Sequence, residues 1–337
     1  MKIKVLSRQN LIEILGMSQV IQGVKSVYKT KADGRVVAWP LVEHHFPPDA
    51  VCDIRSGAVG GMVGIHGAKL LNNFPGNAGK NLPVFTGVLM AFDSNTGLPL
   101  GVMDASYITS LRTGAAAAIG ASALARPDSR TLLVVGAGRQ SIYLIGAALL
   151  ELPQLTKVMV CDPLNPENAV RYVETIKQRL QDELGINSSA VIFETVSDLQ
   201  NAVSSSDVIF TITRSTQPMI MKDWIRHGTH LSCIGADMVG KEEIDPEIFK
   251  NARAFADDVV QCCNVGEMEI PTKLGIISPE TVSGEIGQVL TGQIPGRISD
   301  EDITVFDATG LAALDLVTAK AAVNAANEQN KGQTVEI

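Results

Sequence analysis

The chain has 337 residues, with 28 Lys and Arg against 36 Asp and Glu, a net charge of −8 at neutral pH. That balance disfavours a duplex-binding or anionic-membrane role, either of which needs a concentrated basic face, and only 4% aromatics leave few platforms for stacking single-stranded bases. Apolar residues at 45% against 19% charged describe a globular chain with material for substantial cores, and the length suggests about two domains.

The first stretch, Met1 to Leu15, is interrupted by Arg8, Gln9, Asn10 and Glu13, so it lacks the apolar core of a signal peptide. Residues Asn10 to Tyr28 read as a helix and Val84 to Phe92 as a strand. Between Phe74 and Pro83 two prolines, two glycines and two asparagines predict a loop. The Ala-rich run Thr113 to Ala125 is too short for a membrane span, which needs about 20 apolar residues, and reads as a buried helix. A linker is expected around Pro127, Asp128 and Ser129.

Beyond it the texture changes. Short β-rich runs, Thr131 to Val135, Lys157 to Cys161, Ala190 to Glu194, Asp207 to Thr213, His230 to Ala236 and Ala252 to Asp257, follow one another. The first three are separated by helix-length segments, Ser141 to Leu152 and Glu167 to Leu184. Such alternation is the sequence form of a parallel sheet wound with helices. Gly310 to Asn327 is a helix by periodicity, and Glu328 to Ile337 reads as a frayed end. The five cysteines, Cys52, Cys161, Cys233, Cys262 and Cys263, are odd in number and lack CxxC spacing, which argues against a zinc ribbon or a disulfide framework and fits a reducing cytosol.

The apolar run Thr131 to Val135 leads directly into Gly136-Ala137-Gly138-Arg139-Gln140-Ser141 and a helix. Gly136 permits a tight turn, and Gly138 lets backbone amides approach a pyrophosphate at the helix N-terminus. Ser141 occupies the third-glycine position, so a glycine turn without a ligand stays open as an alternative. Asp162 ends the second strand, 26 residues after Gly136, where a ribose-binding carboxylate is expected; the other reading is a turn acid before Pro163. A 2′-phosphate at ~4 Å from that carboxylate would be repelled by several kcal/mol at intermediate dielectric, so NAD(H) is preferred over NADP(H), with Arg139 a partial offset.

Taken together, Gly67-Ala-Lys69, Ser110-Leu-Arg112-Thr-Gly-Ala, the Gly136 turn, Gly235-Ala-Asp237, Gly284-Glu-Ile-Gly-Gln-Val, Pro295-Gly-Arg297 and Thr304-Val-Phe-Asp-Ala-Thr-Gly310 resemble the ornithine cyclodeaminase/mu-crystallin family. The resemblance implies an α/β fold: a Rossmann-type doubly wound parallel sheet plus an α+β dimerisation domain formed by the N-terminal part and the C-terminal helix. Residues 1–126 with 306–337 would bind substrate and dimerise, and residues 127–305 would bind NAD(H). It also implies chemistry at the Cα–N bond of a small amino or imino acid by a homodimer, while cysteine usage and charge point to a cytoplasmic protein with no nucleic-acid or membrane partner.

Carried over residue by residue, Lys69 lies by the substrate carboxylate and acts in proton transfer, Arg112 offers a planar fork to that carboxylate or to cofactor phosphate, and Asp237 is the catalytic acid/base. To work near neutral pH, Asp237 would need burial. Thr113, Gly136, Gly138, Arg139, Gln140, Ser141 and Asp162 join Arg112 as the cofactor set. One departure is plain: relatives carry an arginine two residues after an early proline, whereas Pro40 is followed by Leu41 and Val42. Arg55, or His44 and His45, are the candidates to replace it; the paired histidines lack a third ligand at metal spacing.

The same parts serve three activities. If a side-chain amine attacks the oxidised Cα, ornithine becomes proline plus ammonia with no net redox change, and the motif set leans to this reading. If water attacks, the enzyme is an amino-acid dehydrogenase or, in reverse, an imine reductase. A mu-crystallin-like ligand-binding protein is the third alternative, disfavoured because Lys69, Arg112 and Asp237 are all retained.

Overall fold

The apolar, β-branched run Thr131–Val135 forms the strand its composition predicts, as does Lys157–Cys161, and four more follow within two residues of the expected starts: Ile192–Thr195, Val208–Thr211, His230–Cys233 and Ala252–Ala256. Val208–Thr211 and His230–Cys233 are buried at every position, as a parallel sheet covered on both faces requires. In this computed structural model, which describes residues 1–336, these strands join Ile303–Asp307 and Gly284–Glu285 in one all-parallel sheet.

Its order from one edge is Ile192–Thr195, Lys157–Cys161, Thr131–Val135, Val208–Thr211, His230–Cys233, Ile303–Asp307, Ala252–Ala256, Gly284–Glu285. Winding reverses between Thr131–Val135 and Val208–Thr211, the switch point beside which doubly wound sheets take their ligands. Register sets Cys161, Val135, Thr211, Cys233 and Asp307 in one row at the carboxyl ends. Gly136, Asp162, Thr213 and Gly235–Asp237 leave the sheet from that row.

The chain divides into two units, Met1–Arg112 with Leu311–Ile337, and Thr113–Gly310. The first division falls inside the helix Ala105–Leu124 rather than at the expected linker near Pro127. The second half of that helix belongs with the parallel sheet: the Ala117 carbonyl accepts from Ser232 Oγ at 3.1 Å, and Gly120 abuts the Phe306 ring. The other division follows Gly310 rather than residue 305, because the Asp257 carboxylate takes the amides of Thr309 (3.3 Å) and Gly310 (2.7 Å).

In the first unit a mixed sheet runs Gln333–Glu336, Lys2–Leu6, Pro99–Asp104, Phe85–Asp93, Ile65–Asn73, Ala50–Val59, Val36–Ala38, with Val42–Phe46 also on Ala50–Val59. The helices Met17–Ala32 and Ala312–Glu328 pack together, and Ala312–Glu328 lies on one sheet face. Three expectations need correction. The single helix over 10–28 is two, Arg8–Ile14 and Met17–Ala32, because Leu15 and Gly16 are extended. The 74–83 loop contains the 3-10 turn Pro75–Lys80. The tail is not frayed over its described length: Gln333–Glu336 pairs antiparallel with Lys2–Leu6.

Candidate active site

Lys69 is the central residue of the strand Ile65–Asn73, whose odd-numbered side chains point to the covered face, and it is only 1% exposed. Its ammonium donates to Asp315 Oδ2 at 2.8 Å and to Thr109 Oγ1 at 3.2 Å. Arg112 Nε donates to the other oxygen of Asp315 at 3.2 Å. Arg55 stands directly across from Lys69 in the antiparallel register, and its Nε donates to Asp53 Oδ2 at 3.2 Å. Lys69, Arg112 and Arg55 thus gather around Asp315 and Asp53 in a nearly dry setting, a cationic cluster of the kind that suits an anionic ligand.

Burial lowers the Lys69 ammonium to about 8; Asp315 pushes it back up, while Arg112 and Arg55 push it further down. Burial opposes ionisation of Asp315 as well, but the charges of Lys69 and Arg112 outweigh it and hold the carboxyl below its ordinary range. The structure therefore brings together three expected residues, Lys69, Arg112 and Arg55. Of the candidates for the missing early arginine, only Arg55 shares that row. His44 lies across from Cys52, on the opposite sheet face, and meets the Phe46 ring edge to face; exposed His45 pairs with Glu43.

In the second unit, Gly136 adopts φ +112°, and a Cβ there would stand 2.5 Å from the Ile212 carbonyl, so no other residue fits the turn. At Gly138 a Cβ would meet nothing within 4 Å, which leaves the backbone open to a ligand. Ser141 is fully buried, and its hydroxyl donates to the Gly136 carbonyl at 2.5 Å. The serine in the third-glycine position thus staples the turn to the first helical residue. Gln140 is the N-cap of the helix Ser141–Glu151, with its Oε1 buried and unpartnered among the described residues, and Arg139 is exposed beside it.

Asp162 accepts from the Asn165 amide at 3.1 Å and from Asn168 Nδ2 at 3.3 Å. The same Asn168 amide donates to the Ala137 carbonyl at 3.1 Å, tying the acid to the glycine turn. Glycine turn, open backbone and strand-end acid together fit a dinucleotide. Thr113 is buried on the helix Ala105–Leu124, one residue after Arg112.

Asp237 follows the strand His230–Cys233 at the carboxyl edge of the sheet. The expected burial does not hold: its side chain is 42% exposed and salt-bridged to Lys241, whose Nζ donates to Asp237 Oδ1 at 2.5 Å and to the Gly235 carbonyl at 3.1 Å. Among the described residues no group of three or more His, Cys, Asp or Glu is placed to hold a metal, and no helix is long and apolar enough to cross a membrane.

Sequence reading missed Asp315, Thr109 and Lys241. Asp315 carried one signal, a lone acid in the otherwise apolar run Leu311-Ala-Ala-Leu-Asp-Leu-Val; Thr109 carried none, and Lys241 stood four residues after Asp237.

The profile of the ornithine cyclodeaminase/mu-crystallin family matches residues 1–330. Alanine dehydrogenase of Archaeoglobus fulgidus is 33% identical over 100% of this chain and 99% of its own. An archaeal alanine dehydrogenase dimer with bound NAD superimposes with a TM-score of 0.91 at 32% identity, covering 100% of both chains. The iminosuccinate reductase of Paracoccus denitrificans in complex with NAD⁺ gives 0.91 at 29% identity, again over 100% of both. Motifs, fold and similarity along the whole length agree: the chain belongs to the ornithine cyclodeaminase/mu-crystallin family.

Proposed function

We propose that this protein is an NAD(H)-dependent enzyme that works at the Cα–N bond of a small α-amino or α-imino acid, as an amino-acid dehydrogenase or, in reverse, an imine reductase. The observation that carries the reading is the buried cationic cluster of Lys69, Arg112 and Arg55 around Asp315 and Asp53. A carboxylate bound there gains charge-assisted hydrogen bonds that water would otherwise supply, which fixes Cα in place. The whole-length similarity to an alanine dehydrogenase and an iminosuccinate reductase supports the redox direction.

Gly136, Gly138 and the N-terminus of the helix Ser141–Glu151 would hold the pyrophosphate, and Asp162 the adenosine ribose hydroxyls. NAD(H) bound there accepts or supplies a hydride. Asp237 takes the proton from the amino group or the attacking water and returns it in the reverse direction, with Lys241 holding Oδ1 and leaving Oδ2 for the proton. In the oxidative direction an amino acid, water and NAD⁺ give a 2-oxo acid, ammonium, NADH and a proton.

Cyclodeamination is the second reading, and one observation favours it: Asp53 Oδ1 is buried with no hydrogen-bond partner among the described residues, a free acceptor for a second ammonium. The two differ in redox balance. Incubating the protein with NADH, ammonia and a panel of 2-oxo acids should oxidise NADH in step with amino-acid formation. If no 2-oxo acid does so, while ornithine gives proline and ammonia with only catalytic NAD⁺, the dehydrogenase reading fails and the second stands.

A further inference from the structure

The segment that carries Asp237 is built around a glutamate that the reaction does not use directly. Glu243, fully buried on the short strand Glu242–Ile244, has all its acceptor positions filled. Its Oε1 accepts from the Thr213 amide at 2.6 Å and the Thr213 hydroxyl at 2.7 Å. Its Oε2 accepts from the Gly235 amide at 2.8 Å and the Thr211 hydroxyl at 2.7 Å. One carboxylate therefore joins the ends of two neighbouring strands, Val208–Thr211 and His230–Cys233, just where the chain leaves the sheet.

What hangs on those two ends is the candidate machinery. On one side, Ile212 and Thr213 form the wall of the cofactor turn: a Cβ at Gly136 would lie 2.5 Å from the Ile212 carbonyl and 3.2 Å from Thr213 Cγ2. On the other side, Gly235 begins the segment that ends at Asp237, two residues on. Gly235 must be glycine because a Cβ would lie 2.4 Å from Glu243 Oε1. The base of the clamp is fixed in turn. Glu267 Oε1 accepts the amides of Glu243 (2.9 Å) and Ile244 (2.7 Å), and Glu269 Oε2 accepts the Gly240 amide at 2.8 Å. Burial pushes both Glu243 and Glu267 up, and the charge of Glu243 adds to burial at Glu267.

We infer that Glu243 is a positioning residue: it holds the Asp237 segment and the wall of the glycine turn at one fixed spacing, so that the acid/base and the cofactor cradle keep their alignment. The inference rests on Asp237 being the acid/base proposed above. A side chain that only filled space would not need four converging donors, two of them backbone amides that cannot rotate away. An amide in place of the carboxylate cannot satisfy the site in either orientation, because each oxygen faces one of those fixed N–H groups and the NH₂ would confront one of them.

Glu243→Gln tests this in the intact protein by hydrogen–deuterium exchange, NADH titration and turnover. Amides in residues 211–215 and 233–241 should exchange about tenfold faster, with Thr131–Val135 and Ile303–Asp307 unchanged. The dissociation constant for NADH should stay within about threefold while kcat falls about tenfold or more. In an Asp237→Asn background the same change should cost residual turnover nothing further, because both act through one group. Thr213→Val, which removes one of the four donors and keeps the shape, should show the same pattern at about threefold and carries the test if Glu243→Gln does not fold. Unchanged local exchange with normal turnover would overturn the proposal. So would faster exchange across the whole sheet accompanied by loss of NADH binding, which marks a general structural role. Near-normal turnover of Asp237→Asn alone would remove Asp237 from the site, and the local exchange pattern would still judge the clamp.

Discussion

Lys69 and Asp315 are 246 residues apart in sequence and 2.8 Å apart in the fold, each 1% exposed. A buried pair of this kind adds little net stability, since desolvating both ions offsets their attraction, but removing one partner strands the other. Asp315→Asn leaves both Lys69 and Arg112 without their shared counter-charge, so the unfolding free energy should fall by about 3–5 kcal/mol in a denaturant titration. Thr109→Val, which removes a hydroxyl that accepts from the same ammonium and donates to Asp315 Oδ1 at 3.4 Å but leaves every charge in place, should cost about 1 kcal/mol. Equal losses in the two variants would show that the charge of Asp315 is not what holds this cluster.

The low proton affinity of Lys69 makes a pH prediction with a definite sign. Burial brings the group to about 8, so the ammonium is present below that pH and lost as pH rises through it. If its role is to hold a substrate carboxylate, kcat/KM should decline above pH about 8, and Lys69→Arg, whose charge does not titrate in this range, should abolish the step even if its overall activity is lower. Stability moves the other way: the unfolded lysine binds its proton up to about 10.5, so between about 8 and 10.5 this group's contribution to stability rises with pH. A kcat/KM profile that is flat or rising from pH 7 to 9 would remove Lys69 as the carboxylate anchor.

How much of this could be read from the chain depends on distance. Six of the eight parallel strands were legible as short runs between turn residues, four of them carrying β-branched residues, and the glycine turn because Gly136 and Gly138 abut a strand and a helix. The cation set was legible only through motif resemblance; its counter-ion was not, because Asp315 sits in a helix that periodicity assigns to the core and meets Lys69 only in three dimensions. The tail shows the same limit. Gln333–Glu336 is short and exposed, with nothing local to favour a strand, and exists because Lys2–Leu6 offers it an edge. Glu243 escaped notice because an acid near the end of a β-rich region is ordinarily a surface residue.

The first unit also presents a surface that suits a second copy of the chain. Val42, Ile54, Leu70 and Val88 form a straight row across four strands on the sheet face opposite Lys69, with Met90 beside them; Val42, Leu70, Val88 and Met90 are exposed. An apolar row of this length on one sheet face is the kind of patch that isologous dimers cover. The chain should sediment as a homodimer at micromolar concentration, and Leu70→Glu, which places a charge in the middle of the row, should shift it to monomer without lowering NADH affinity. A wild-type monomer, or a Leu70→Glu dimer of unchanged affinity, would rule this face out.

Cofactor choice gives the last test, and it separates an acid that reads the ribose from one that merely ends a turn. A ribose 2′-phosphate held about 4 Å from Asp162 would meet a repulsion of about 4 kcal/mol per unit charge at an effective dielectric of 20, reduced by solvent at this half-exposed position. NADH should therefore bind at least about tenfold more tightly than NADPH, and Asp162→Ser should close most of that gap by strengthening NADPH and weakening NADH. Asn168 adds a second arm, because its amide ties Asp162 to the Ala137 carbonyl of the glycine turn. With that bridge removed in Asn168→Ala, the carboxylate keeps its charge but loses its fixed position, so NADH affinity should drop while NADPH stays weak. A turn acid with no ligand predicts instead that neither substitution changes the NADH to NADPH ratio, which a fluorescence titration of the three proteins with both cofactors decides directly.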